Sequence, residues 1–261
     1  MNNPIPFLPV FVWNMIAGIV FPLVYIFFVI GLMGKLVEKG FPQDLSRKVI
    51  HIAAGSWIWV WPLIDPSDGW SYIFNIAVAA LWTLLFINKG LKGTPDDTAV
   101  KTMTRTGNPK ELLLGPLFFT LSMEYIGILH FMTYIGVVVM GYLGWGDGLA
   151  PYIGARYGKH KYKLLGREKS IEGSITVFLA GFLGALLLYV LVFYSFPTIE
   201  MLMWMIILGI IATIVEAVSP SDVDNLLIPA VLLIIAYIIS VTTGISLFET
   251  VIPHFLSLIH I

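Results

Sequence analysis

Cysteine is absent from this chain of 261 residues, which excludes disulfides, thiolate metal centres and cysteine nucleophiles. Charge is scarce as well: 12% of the residues are Asp, Glu, Lys or Arg, against 58% hydrophobic. Basic residues are missing from most of the sequence, because all fifteen Lys and Arg lie in 35–48, 89–110 and 156–169. With a formal net charge of −1, the chain lacks the positive surplus that nucleic-acid binding requires. Internal repeats and low-complexity tracts are missing too, so a solenoid or a disordered tail is not indicated.

What is present is apolar length. Mean hydropathy is +0.89, far above a soluble domain, and a bilayer core about 30 Å thick takes about 20 helical residues to cross. The sequence predicts an all-α polytopic transmembrane bundle, a single integral membrane domain over 1–261. About eight spans are expected, over 9–33, 48–64, 70–88, 112–129, 131–145, 172–195, 201–218 and 226–247. The second and fifth are short, so seven or nine spans also satisfy the pattern.

The three basic segments then fall on one side, which the positive-inside rule makes the cytoplasm, with the amino terminus outside. The first span has no basic leader and is long for a signal sequence, so it is expected to be retained. Trp57, Trp59, Trp61 and Trp70 read as an interfacial aromatic belt. Gly18, Gly31, Gly34, Gly141, Gly144, Gly181 and Gly184 read as sites of close helix packing.

Four polar constellations interrupt the apolar pattern. In SRKVIHIAAG, Arg47 and His51 stand one helical turn apart and share a face with Gly55, leaving two donors for an anion; Lys48 adjoins them. A juxtamembrane anchor is the plainer reading. The segment 144–174, GWGDGLAPYIGARYGKHKYKLLGREKSIEGS, mixes glycines with Asp147, Glu172 and six basic residues. Such a mixture suits phosphate, since glycine permits close backbone approach, Lys and Arg neutralise phosphate oxygens, and carboxylates hold Mg²⁺.

Within that segment Asp147 reads as a helix cap or a metal ligand. Lys169 with Glu172 reads as a helix-start ion pair or a phosphate and Mg²⁺ pair. Lys159, Lys161 and Lys163 read as a solvated basic face. In EAVSPSDVDNL, Glu216 needs a partner in an apolar run, and Asp222, Asp224 and Asn225 offer oxygen ligands or helix caps. In RTGNPKELLLG, Arg105 and Lys110 line the cytoplasmic face, while Glu124 beyond is left outside the site.

RKVIHIAAG, GNPKELLLGPLFF, GDGLAPYIGARYGK, KSIEGS and DNLLIP occur in the order seen in the phytol kinase and dolichol kinase family. The chain resembles that family, and its phytol kinase branch in particular, over about residues 45–230. The resemblance implies transfer of the γ-phosphate of CTP to the hydroxyl of an isoprenoid alcohol such as phytol, geranylgeraniol or another polyprenol.

Phosphoryl transfer depends on alignment and charge neutralisation, so roles can be assigned from residue chemistry. Asp147, Glu172 and Asp224 are assigned to Mg²⁺, and Lys169, Arg47 and Lys48 to phosphates. His51 or Asp147 activates the hydroxyl, and Gly146, Gly148, Gly173 and Ser170 shape the nucleotide loop. The bilayer, the isoprenoid alcohol and a nucleoside triphosphate are the expected partners; oligomeric state is left open. The length of the chain, without a long amino-terminal extension, points to a prokaryotic cell membrane with the site facing the cytoplasm. Two other classes stay open: a CTP-dependent cytidylyltransferase acting on a lipid phosphate, and an ion-coupled transporter using Glu124, Glu216 and His51.

Overall fold

A computed structural model describes residues 8–165, 167–220 and 223–250, without the side chains of Tyr72 and Arg167. Asp222 lies outside the described residues. The chain begins with α1 (Val10–Met15), a π-helical turn (Ile16–Val20) and α2 (Phe21–Glu38), which run on as one long rod. Then come α3 (Gln43–Gly55), a 3₁₀ segment (Ser56–Leu63), α4 (Ser71–Lys92), the short α5 (Thr98–Met103), a 3₁₀ turn (Pro109–Leu113) and α6 (Gly115–Leu129). Next, α7 (Tyr134–Gly141), a second π turn (Tyr142–Gly146) and α8 (Asp147–Arg156) again form one rod. A two-stranded antiparallel hairpin, β1 (Lys161–Leu164) and β2 (Arg167–Ser170), leads into α9 (Ile171–Phe193), α10 (Ile199–Val218) and α11 (Asp224–Thr243).

The fold is a polytopic helical membrane bundle, as the composition requires. Among the described residues six helices are long and apolar enough to cross a bilayer: Val10–Glu38, Ile73–Lys92, Pro109–Leu129, Ile171–Phe193, Ile199–Val218 and Asp224–Thr243. The two short segments expected to span, 48–64 and 131–145, fold differently from the rest. The first is a helix that tightens into 3₁₀ geometry before Pro62, and the second is the start of the α7–α8 rod. They form the middle of the bundle, where Val137, Val138, Val139, Met140 and Ile58 are wholly buried. The hairpin is a short loop element of an otherwise helical bundle, and the all-α class holds.

The bundle has two distinct ends. At one, Trp13 Nε1 donates to Leu63 O, Asn14 exchanges hydrogen bonds with the Asp65 backbone, Asn75 Nδ2 donates to Gly127 O, and Tyr134 Oη donates to Met201 O. At the other, Arg47 Nη1 donates to Thr104 O, Lys169 Nζ donates to Glu216 Oε1, and Lys48 and Asp224 lie near Asp147. Helix contacts use small residues: Gly141 lies on Ala185, Gly181 on the Tyr142 ring and Gly184 on Trp145, each too close to admit a Cβ. Gly31 and Gly34 face open space instead, so the packing expectation fails there. The aromatic belt is corrected as well. Trp70 is exposed, but Trp57 and Trp61 are core residues, with Trp61 Nε1 donating to Asn75 Oδ1 at 2.7 Å.

Candidate functional site

Between α2, α3, α4 and α6 lies a cavity of about 460 Å³ whose two ends differ in chemistry. Its charged end carries Arg47, Lys48, Arg105, Asp147 and Asp224; its apolar length is walled by residues such as Ile26, Trp57, Val78, Trp82 and Met123. The lining runs from Ile30 back to Pro22 on α2, which at 1.5 Å per residue is roughly 12 Å of depth.

Asp147 owes its place to the π turn. In the continuous rod from Tyr134 to Arg156, the five residues Tyr142–Gly146 are wound more widely, which rotates the helix beyond them. π turns of this kind recur at functional sites. Asp147 is therefore a helix-interior residue, not the N-cap considered from the sequence, and is 5% exposed. Its electrostatic neighbours are Asp224 and Glu216, and the ammoniums of Lys48 and Lys169.

Beside it, His51 Nε2 lies 3.3 Å from Leu143 O and 3.7 Å from Asp147 Oδ2. A carbonyl only accepts, so Nε2 carries the hydrogen and gives it to Leu143 O, leaving the imidazole beside the carboxylate but not hydrogen-bonded to it. Phe119 stacks on the imidazole at 4.1 Å between centroids. Gly148 packs on the same ring.

The space expected beside Gly55 is filled. A Cβ there would stand 2.7 Å from Gly144 Cα, so this glycine pair brings α3 against the π turn. Gly146 and Gly173 likewise sit in helices, Gly146 on the Val177 carbonyl and Gly173 on Gly154, where they serve close packing and no loop. Ser170 caps α9, its Oγ accepting from Gly173 N at 3.1 Å.

Arg47 Nη1 donates to Thr104 O at 2.5 Å, tying α3 to the loop after α5. Glu111 accepts from Arg105 N and Thr106 N and pairs with the Thr106 hydroxyl, which folds that loop over the charged end.

Lys169 and Glu172 do not pair with each other. Lys169 Nζ donates to Glu216 Oε1 at 2.6 Å and to the Glu216 carbonyl. Glu172 lies 2.7 Å from His160 Nδ1, outside the cavity wall. Glu216 is the partner that sequence reasoning left unassigned; its signal was a carboxylate in an apolar run, which demands a cation nearby. Glu124 also finds hydrogen bonds, with Thr83 Oγ1 at 2.5 Å from its Oε1, and takes a structural place between α4 and α6.

The donor set at the charged end suits a hard divalent cation. Asp147 and Asp224 supply carboxylates, and Asn225 Oδ1 in the same wall is buried without a hydrogen-bond partner. Among the described residues no three His, Asp or Glu side chains form a ready cation cluster. Mg²⁺ fits that arrangement because it keeps waters and substrate phosphates in its shell and needs one or two protein carboxylates.

A probable chloroplastic phytol kinase of Zea mays is 34% identical over 215 residues, covering 78% of this chain and 68% of the maize protein. The chain belongs to the phytol kinase family. Phytol kinase 1 of Arabidopsis thaliana is 31% identical over 206 residues, 75% of this chain and 66% of its own length. The farnesol kinase of the same plant is 33% identical over 204 residues, with the same two shares. No family model and no solved structure matches the chain. As a phytol kinase family member the protein is an enzyme, a phosphotransferase embedded in a membrane. The family's activity therefore has to be explained by a charged pocket continuous with an apolar one.

Proposed function

We propose that the protein phosphorylates an isoprenoid alcohol with CTP, at the cytoplasmic face of a prokaryotic cell membrane. The observation that carries this reading is the two-ended cavity: a charged end for a triphosphate, leading without a break into an apolar slot for a prenyl chain. CTP rests on the motif likeness, the alcohol on that slot and on the activities for which the relatives are named. The face rests on the basic segments, which all lie inside when the two short central segments, 43–63 and 134–146, are counted as crossings beside the six long helices.

In this reading Arg47, Lys48 and Arg105 neutralise the phosphate oxygens, with Arg47 held in place by Thr104 O. Asp147, Asp224 and the Asn225 amide oxygen would hold Mg²⁺, which when bound spreads and offsets phosphate charge. The alcohol oxygen attacks the γ-phosphorus while the bond from that phosphorus to the β–γ bridging oxygen breaks, so CDP leaves with the electron pair. The hydroxyl proton passes to the Asp147 carboxylate. His51, whose Nε2–H is taken by Leu143 O, packs beside that carboxylate and is not the base. Lys169, which like Glu216 lies outside the cavity wall, adds positive charge near Asp147 and is held by Glu216. Glu172 takes no part.

Purified protein in lipid nanodiscs is given CTP labelled in the γ-phosphate, a panel of prenyl alcohols, and ATP as competitor. Labelled prenyl phosphate with release of CDP is expected. Release of pyrophosphate from a lipid phosphate would assign the chain to cytidylyl transfer instead, and preference for ATP would overturn the donor.

A further inference from the structure

The cavity that this reading assigns to the alcohol is not walled on every side by tightly packed helices. The rod formed by α1, the π turn and α2 is clamped to α4 at the far end of the bundle. There Phe11 meets Phe74 edge-on at 5.1 Å, and Gly18 packs on the Phe74 backbone so closely that a Cβ would stand 2.5 Å from its carbonyl oxygen. Beyond the π turn the two part company. Helix α2 packs on α3, with Ile26, Met33 and Ile50 forming a small core of their own, while α4 packs on α6 and the 3₁₀ turn. Between α2 and α4 the Phe27 and Trp82 rings meet, 6.4 Å apart at 44°.

The cavity fills this wedge, and Trp82 in its wall is only half-buried while Phe27 is 59% exposed on the apolar flank. Overhead, Met103 of α5 packs against the cores on both sides, so the wedge is roofed at the charged end, and on its flank the Phe27 and Trp82 rings meet.

We propose that the seam between α2 and α4, where the Phe27 and Trp82 rings meet, parts as a lateral portal, through which the isoprenoid tail joins the cavity directly from the bilayer and out of which its far end protrudes. The inference depends on the alcohol-kinase reading and adds a specificity to it. The protein grips the hydroxyl end and the first prenyl units, and leaves chain length unread, because a tail that continues into lipid meets no end wall. A closed slot would reject each added unit by overpacking.

Two measurements on the full-length protein in nanodiscs test this. First, kcat/KM is compared for farnesol, geranylgeraniol and a much longer polyprenol; the values are expected to stay within about thirtyfold of one another, and a steeper fall with length overturns the portal. Second, geranylgeraniol carrying a diazirine at its hydrocarbon end is bound, irradiated and mapped by mass spectrometry. Adducts at Phe27, at Trp82 or on added lipid are expected, whereas adducts confined to Trp57 and Met123 on the inner wall overturn it. Failure of every alcohol to accept phosphate sinks the kinase reading instead, and the adduct map is read independently of turnover.

Discussion

At the scale of single residues, Asp147 and the pair Lys169 and Glu216 make different predictions. Asp147→Asn keeps shape and hydrogen bonding but cannot accept the hydroxyl proton, so a fall in kcat of about 10²- to 10⁴-fold is expected, with helix content unchanged by circular dichroism. Turnover within tenfold of the parent would remove Asp147 from the chemistry. Lys169 and Glu216 have side chains 17% and 10% exposed, and deleting one partner of a buried pair leaves an uncompensated charge. Lys169→Met alone is expected to cost about 3–5 kcal/mol of stability. Lys169→Met with Glu216→Leu should recover most of that in thermal unfolding. Activity should stay low in the double variant, because the ammonium is still missing; recovery of both would make the pair purely structural.

At the scale of elements, the contact of α3 with the second π turn sets where His51 stands relative to Asp147. Gly55→Ala would push a methyl group to 2.7 Å from Gly144 Cα, and overpacking of this kind costs about 1–3 kcal/mol. Its activity loss should exceed its stability loss, since His51 lies one turn away. Gly31→Ala, with open space around it, is expected to be neutral or to stabilise by about 0.5–1 kcal/mol through helix propensity.

The hairpin belongs to this scale too. Lys159 and Lys163 are exposed, Lys161 donates to Gly154 O, and none of the three lines the cavity, so long-range steering of anions is the role proposed for this basic run. Changing Lys159 and Lys163 to Gln should raise KM for CTP at low salt with kcat unaltered, and the difference should vanish as ionic strength rises.

At the scale of the whole molecule, the claim to test is that loops far apart in sequence share one side of the membrane. The cysteine-free chain suits labelling by a membrane-impermeant maleimide. In intact cells Glu200→Cys is expected to react and Lys110→Cys to be protected; in inside-out vesicles the pattern should reverse. Reaction of Lys110→Cys from outside would place the charged end of the cavity on the wrong face.

Membrane class, the helical character of the chain and the identity of the polar motifs were legible from the sequence, because apolar length and charge scarcity act locally and leave their mark residue by residue. Asp147, Asp224, Arg47 and Lys48 could be singled out for the same reason: a charged group beside apolar spans is costly unless something uses it. Partners were not legible. Lys169 and Glu172 are three apart, yet Lys169 sits on a strand that aims it at Glu216, 47 positions away, and Glu172 opens a helix on the side of His160. The belt of tryptophans turned inward because the 3₁₀ segment that carries Trp57 and Trp61 runs through the middle of the bundle. Which carboxylate meets which cation, and that the charged end continues into an apolar slot, came only from packing, since helix register and π-turn rotation are settled by contacts between elements that no local pattern encodes.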